Sequence, residues 1–326
     1  MTAPRAALIT AVVGAVVAFV LGVLTFGVQA TVHPDHVPLA LVGPPQVAQR
    51  VQAASTGEID WKIVSSDDAR RLLDDKEVYG VLEIASAGAT VKLSAEVNPS
   101  GTQFAQQVLT GVAQGAGVPV KVEAPAVSAA ARTVPLAASA LLWIGGLVAG
   151  VLFTVFDKRR YRSISAVTAA ILSVGSVAGL ITWWDSGLTL DAGVIGFLLL
   201  VATAFALVQA GLFKLLGIRA MALLAPLYLM APAVAGQVPE LLNPAYRAAL
   251  WSWTPFRFST EGLRSLLFGG SVTSTELWVF GGIALAGVIL LALPGKKAQP
   301  DLADGVVDVG VDQAHGLPRP QRQHTA

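Results

Sequence analysis

The chain has 326 residues, of which 54% are hydrophobic and 13% charged, and its formal net charge is +1. An ordinary soluble domain carries about 25% charged residues, so this sequence cannot clothe itself in a normal polar surface, and much of it must face lipid. The balanced charge leaves no global field for nucleic acid, and the absence of cysteine excludes disulfides, thiolate metal sites and a cysteine nucleophile.

Ala6 to Ala30 is uncharged and long enough to cross roughly 30 Å of hydrocarbon at about 1.5 Å per residue. Val28-Gln29-Ala30 looks like a small-residue cleavage site. The apolar stretch nevertheless outruns the ~7–15 residues of a signal-peptide core, so residues 1–30 are expected to form an uncleaved anchor.

Thr31 to Thr133 changes character. Val37 to Val42 reads as a strand ending at Gly43-Pro44-Pro45, and Gln46 to Ala54 suits a helix. Trp61 to Val64 is a short strand. A helix then begins at Ser65-Ser66-Asp67-Asp68, where a serine can cap it and the aspartates favour its positive end. Val78 to Ala85 and Thr90 to Ala95 read as a hairpin around Ala87-Gly88. Asn98-Pro99-Ser100-Gly101 turns into a helix from Thr102 to Ala113, and Val118 to Val122 is a last strand. Strands alternating with helices predict a small α/β or α+β domain over residues 31–133, with Ala124 to Thr133 as a connector.

Five further apolar spans follow: Pro135 to Phe156, Ile164 to Trp184, Ala192 to Phe213, Ala220 to Gly236 and Leu277 to Pro294. The fourth of these is short and holds Pro226 and Pro232, which predicts a kinked or discontinuous helix. Between it and the last span, residues 237–276 contain Trp251-Ser252-Trp253-Thr254-Pro255-Phe256-Arg257-Phe258, a pattern suited to the headgroup zone. Thr260 to Phe268 reads as a short amphipathic helix, and Arg247, Arg257, Glu261 and Arg264 of this outer segment either meet a substrate headgroup or hold the helix at the interface. Residues 134–295 thus form a five-helix membrane region, and 296–326 a disordered cytoplasmic tail.

Arg5, the Lys158 to Arg162 turn, Lys214 with Arg219, and Lys296 with Lys297 all fall on one side of these spans, whereas Asp185 to Asp191 carries only acidic charge. The positive-inside rule then places both termini in the cytoplasm, and residues 31–133 and 237–276 outside a plasma membrane.

Chemistry-bearing motifs are sparse. Gly295-Lys296-Lys297 lacks the upstream glycine and the hydroxyl of a phosphate-binding loop, and neither a metalloprotease nor a nucleophile-elbow motif occurs. No enzyme activity and no cofactor are expected. His33-Pro34-Asp35-His36 is metal-like, but no fourth ligand is nearby, so a polar loop is the preferred reading and no metal is expected. Gln209 is the most polar side chain well inside a span, suited to helix packing or to a substrate path. Gly146/Gly150 and Gly175/Gly179 permit close helix approach. Lys158, Arg159, Arg160 and Arg162 form a basic turn that sets topology, contacts anionic lipid or docks a cytoplasmic partner.

One helix, a soluble domain, four helices, an outer aromatic segment and a last helix make a layout that resembles the permease subunit of type-two ATP-binding-cassette exporters and the related phage-infection-protein group. VPLALVGPPQVAQRVQ (Val37 to Gln52), DDARRLLDDKEVYGV (Asp67 to Val81) and WTPFRFSTEGLRSLL (Trp253 to Leu267) carry the likeness. It implies an α-helical integral membrane protein: a six-helix permease-like bundle with an inserted α/β extracytoplasmic domain, paired as a homodimer and powered by a separate P-loop ATPase. The implied cargo is lipophilic or envelope-related, with Gln209, Trp253, Phe256 and Arg257 along its path. The second reading is a non-transporting scaffold or receptor whose outer domain binds another envelope protein, and the short basic loops favour it.

Overall fold

The computed structural model describes residues 3–54, 57–155 and 162–294, and Met1–Leu293 form one compact unit. Helix α1 (Ala3–Ala30) leads into a five-stranded sheet. Its strands are β1 (Val37–Val42), β2 (Ile59–Ile63), β3 (Val81–Ala85), β4 (Gly88–Lys92) and β5 (Val120–Glu123). They lie in the order β2-β1-β3-β4-β5. Only the β3–β4 hairpin is antiparallel, and its register pairs Val81 with Lys92 and Ala85 with Gly88.

Side chains alternate across β1, and each face buries against different helices. Leu39 and Leu41 join Leu82 and Val91 under α2 (Pro45–Ala53) and α4 (Pro99–Gly115). Ala40 joins Val81 against Ala69 and Leu73 of α3 (Ser66–Asp74). The Ser65 hydroxyl accepts from the Asp68 amide at 3.2 Å, and the Asn98 side chain accepts from the Ser100 amide at 3.1 Å, so α3 and α4 are both capped.

Five apolar runs are long enough to cross a membrane: Ala11–Ala30, Ala129–Thr154, Ile164–Trp184, Ala192–Ala235 and Ser274–Ala292. This is the make-up of a helical membrane protein. Six spans were expected, and the difference lies in the fourth run. It contains α7 (Ala192–Leu216), a 3-10 turn at Gly217–Ala220 and α8 (Met221–Ala235). Gly217 (φ +58°) ends α7 in a conformation that favours glycine. Alone, α8 has 15 residues, about 22 Å at 1.5 Å per residue, and it runs through both prolines as one helix.

Helix α5 (Ala129–Val155) starts six residues before the expected Pro135, because the Ser128 hydroxyl accepts from the Ala131 amide at 2.9 Å and alanines propagate the turn. With α6 (Arg162–Trp184) and α11 (Ser274–Ala292) it packs around α7. Gly146 receives the Gln209 side chain and the Ala206 backbone of α7, and Gly150 receives the Phe213 ring, whereas Gly175 and Gly179 face open space. A closer approach joins α7 to α11, where Gly287 meets the backbone of Leu207 and Val208.

The helix ends sort by charge. At one end the Ser128 hydroxyl donates to Asp185 at 2.5 Å, Asp191 caps α7 and Glu276 opens α11. At the other, Lys214 donates to the carbonyls of Leu291 and Leu293, the last turn of α11. The tail 296–326 lies outside the described residues.

Candidate functional site

Between α8 and α11 the chain makes a short helix, α9 (Pro244–Tyr246), a wide π turn (Arg247–Trp251) and then α10 (Pro255–Leu267). Pro255 occupies the first turn, where its fixed φ suits a helix start. Sequence reading placed this helix later, from Thr260, and offered the interface as one home for it. Instead α10 is sunk among α5, α7, α8 and α11, with Thr260 fully buried and Arg264 only 3% exposed.

Its two faces differ. Phe256 and Leu263 join the bundle core, the Ser259 hydroxyl bonds to that of Ser139 on α5, and Gly262 leaves room for the Phe197 ring. Phe256, Trp143, Phe205 and Phe280 form an aromatic cluster, with Trp143–Phe205 centroids 4.9 Å apart and Trp143–Phe256 5.0 Å. Arg257, Thr260, Glu261 and Arg264 fall at i, i+3, i+4 and i+7 and so share the other face.

That face carries buried charge. Burial raises the Glu261 carboxyl above its ordinary value, opposed by the nearby Arg257, Arg264 and Lys76. Burial pulls Arg264 down to about 10, with the Glu261 carboxylate acting against it, and burial lowers Arg257 as well. The Arg257 guanidinium lies 3.6 Å from the centre of the Trp251 ring and 4.1 Å from that of Phe258, a cation-π stack that replaces part of its lost hydration.

The sheet layer is fastened to the same region. Lys76 donates to the Ser265 hydroxyl at 2.6 Å and pairs with Glu96 at 3.0 Å. Its backbone is left-handed (φ +61°) where glycine is usual after a helix, so the side chain holds this place despite the conformational cost. Tyr79 donates to Glu240 at 2.6 Å, and its hydroxyl is raised by burial and by the Glu240 charge. Asn98 donates to the carbonyls of Ala235 and Gln237, both at 3.3 Å. Arg247 pairs with Asp35 at 3.1 Å and donates to the Pro239 carbonyl at 2.7 Å. Asp35 is also bonded to His36 at 2.7 Å, and its carboxyl is held below the ordinary range by His36 first and then by Arg247. The metal-like loop is thus used as a tether, and among the described residues no group of three metal-ligating side chains gathers.

The four residues expected along a substrate path lie in three settings. Gln209 is fully buried and donates to the Trp143 carbonyl at 3.2 Å, so Gln209 and Phe256 share Trp143 as a neighbour. Arg257 lies on the charged face. Trp253 is 53% exposed and donates to the Ala249 carbonyl at 2.5 Å. Of the basic turn, Lys158, Arg159 and Arg160 lie outside the described residues, and Arg162 begins α6. Lys76, Glu96 and Ser265 were missed. Lys76 and Ser265 are 189 residues apart, and nothing local marks them as partners.

A concavity of about 280 Å³ opens on the sheet layer between α2, β2 and α4, lined by Val47, Arg50, Val51, Ile59, Trp61 and Val112. Comparison with protein families, with characterised proteins and with solved structures gave no match to this chain.

Proposed function

We propose that the chain is the membrane-spanning subunit of an exporter of the ATP-binding-cassette type, moving a lipophilic or envelope-related substrate and driven by a separate ATPase. In this reading α8 completes a six-helix bundle with α1, α5, α6, α7 and α11. Residues 31–133 form an extracytoplasmic α/β domain, 237–276 lie outside with them, and both termini are cytoplasmic in a plasma membrane.

The observation that carries the reading is α10. A helix with one face in an aromatic cluster and the other lined by buried charge presents apolar and polar chemistry side by side, which is what an amphiphilic cargo needs. Buried ionisable groups of this kind are costly, and groups shifted by burial beside a charge partner cluster at functional sites. The separation of acidic Asp185, Asp191 and Glu276 from basic Lys214 and Arg219 supports the orientation. Exposed tryptophans support it too: Trp183 and Trp278 lie at the acidic end, where this reading puts a headgroup belt.

The test is affinity purification of the full chain from its host in mild detergent, with mass spectrometry of what accompanies it. A near-stoichiometric P-loop ATPase, whose hydrolysis in the reconstituted complex rises at least twofold with the transported amphiphile, is the expected result. Reproducible recovery of an envelope protein with no ATPase overturns it. The scaffold reading would then stand on the Trp61 cleft, an apolar recess on the outer layer.

A further inference from the structure

Most buried polar groups in folded proteins find a hydrogen-bond partner, so each that does not calls for an explanation. Among the described residues six such atoms occur: Trp143 Nε1 and Gln209 Oε1 lie in the bundle core, and the other four lie on α10 or in the turn just before it. Trp251 Nε1, Thr254 Oγ1, Arg257 Nε and Thr260 Oγ1 are buried without a partner among the described residues. Arg264, 3% exposed, adds a second guanidinium to this face, the Glu261 charge opposing the effect of its burial.

Chemically the set is one-sided. Trp251 Nε1, Arg257 Nε and the Arg264 guanidinium can only donate, and the threonine hydroxyls can donate as well. Unsatisfied donors with two positive charges call for an acceptor-only, negatively charged partner, and a guanidinium fork matches an oxyanion bidentately. The other face of the helix carries Phe256 and Leu263 into the bundle core, with Ser259 bonded to Ser139 as its polar contact. We propose that the Arg257–Thr260–Arg264 face of α10, with Trp251, binds an oxyanion, a phosphate or carboxylate, borne by the headgroup of an amphiphile. This rests on the exporter reading for its cargo, but not for the binding itself.

Glu261 sets the pH response. It is faced by Arg257 and Arg264 on its own helix, by Glu276 on α11, by Lys76 and by Tyr79 from the sheet layer. Its carboxyl titrates above the ordinary value of 4.5. Below that raised point it is neutral, leaves Arg264 free and can itself donate to the oxyanion. Above it the carboxylate competes for the arginines. Binding therefore weakens as pH rises through the Glu261 titration, and Glu261→Gln removes that dependence.

The test uses the purified full chain in nanodiscs of zwitterionic phosphatidylcholine. Energy transfer from tryptophan to pyrene-labelled phosphatidylglycerol or phosphatidylcholine reads the binding. We expect at least a tenfold preference for phosphatidylglycerol, lost in Arg264→Gln and in Arg257→Gln and kept in Arg219→Gln at the opposite end of the bundle. Should Arg264→Gln fail to fold, Glu261→Gln/Arg264→Gln removes both buried charges together and is expected to lose the preference too. Excess inorganic phosphate is expected not to displace the lipid. Displacement would confirm the oxyanion site and make the free ion its occupant. Equal binding of the two lipids by the wild type, or a preference that survives in both arginine variants, overturns the proposal. The readout is independent of any ATPase. Lipid preference without an ATPase partner would sink the exporter reading alone, and an ATPase partner without the preference would sink the site alone.

Discussion

Phe205→Ala is expected to destabilise the helix bundle more than any other single truncation. The ring is fully buried on α7 and meets three others, Trp143 of α5 at 4.9 Å, Phe256 of α10 at 5.8 Å and Phe280 of α11 at 5.7 Å. Aromatic truncation in soluble cores costs about 3–5 kcal/mol. Inside a bilayer the gain on assembly is packing rather than escape from water, because lipid tails are as apolar as the core. The loss should therefore sit toward the lower end of that range. Because α10 is held through Phe256, the cavity also loosens the charged face above it. Thermal unfolding of the detergent-solubilised chain, read by gel-filtration recovery, checks this. An unchanged midpoint would mean that the four helices are not locked by this cluster.

Gly287→Leu is expected to part α11 from α7. A Cβ there would lie 2.5 Å from the Val208 nitrogen and 2.6 Å from the Leu207 carbonyl carbon. These are backbone atoms and cannot swing aside, so the helices must separate. Overpacking of this kind typically costs about 1–3 kcal/mol, and here backbone sits on both sides of the clash. Gly175→Leu provides the contrast, since nothing lies within 4 Å of Gly175 and the side chain would project freely. The same melting experiment should show a lowered midpoint for Gly287→Leu and little change for Gly175→Leu. Equal behaviour would contradict the close α7–α11 approach.

These two glycines show where sequence stops being informative. Gly146/Gly150 and Gly175/Gly179 have the same spacing, yet only the first pair receives a neighbouring helix. Spacing marks a face that permits approach, and the partner is chosen by the rest of the bundle. Gly287 has no such spacing partner, and its role emerges only with α7 in place. The apolar spans themselves were legible because lipid selects a length and a composition. The run that joins α7 to α8 was harder, since Gly217 ends one helix and a 3-10 turn at once begins another.

Within the sheet layer, Ser65 announced its helix because a cap is a local bond, whereas the helix expected from Thr102 starts at Pro99 behind an Asn98 cap. The hairpin from Val81 to Lys92 was equally local. The junction was not. Arg257, Glu261 and Arg264 were visible as charges on a helix, but the first turn at Pro255 was missed and an interfacial setting looked as natural as a buried one. What buries them is a layer that the chain builds far upstream, through Lys76 to Ser265 and Tyr79 to Glu240. Hydrogen bonds spanning such separations carry no signature in a single sequence.

The orientation is the hinge of the functional reading, because it decides whether α10 and the sheet layer face the outside. The chain has no cysteine, so single substitutions give clean reporters. Asp67→Cys in α3 and Ser186→Cys after α6 are exposed at the sheet side, and Arg219→Cys is exposed at the opposite end. Treated in intact cells with a membrane-impermeant maleimide, Asp67→Cys and Ser186→Cys should be labelled, and Arg219→Cys only after the membrane is opened. Labelling of Arg219→Cys in intact cells, with Asp67→Cys protected, would place the sheet layer in the cytoplasm and contradict the exporter arrangement.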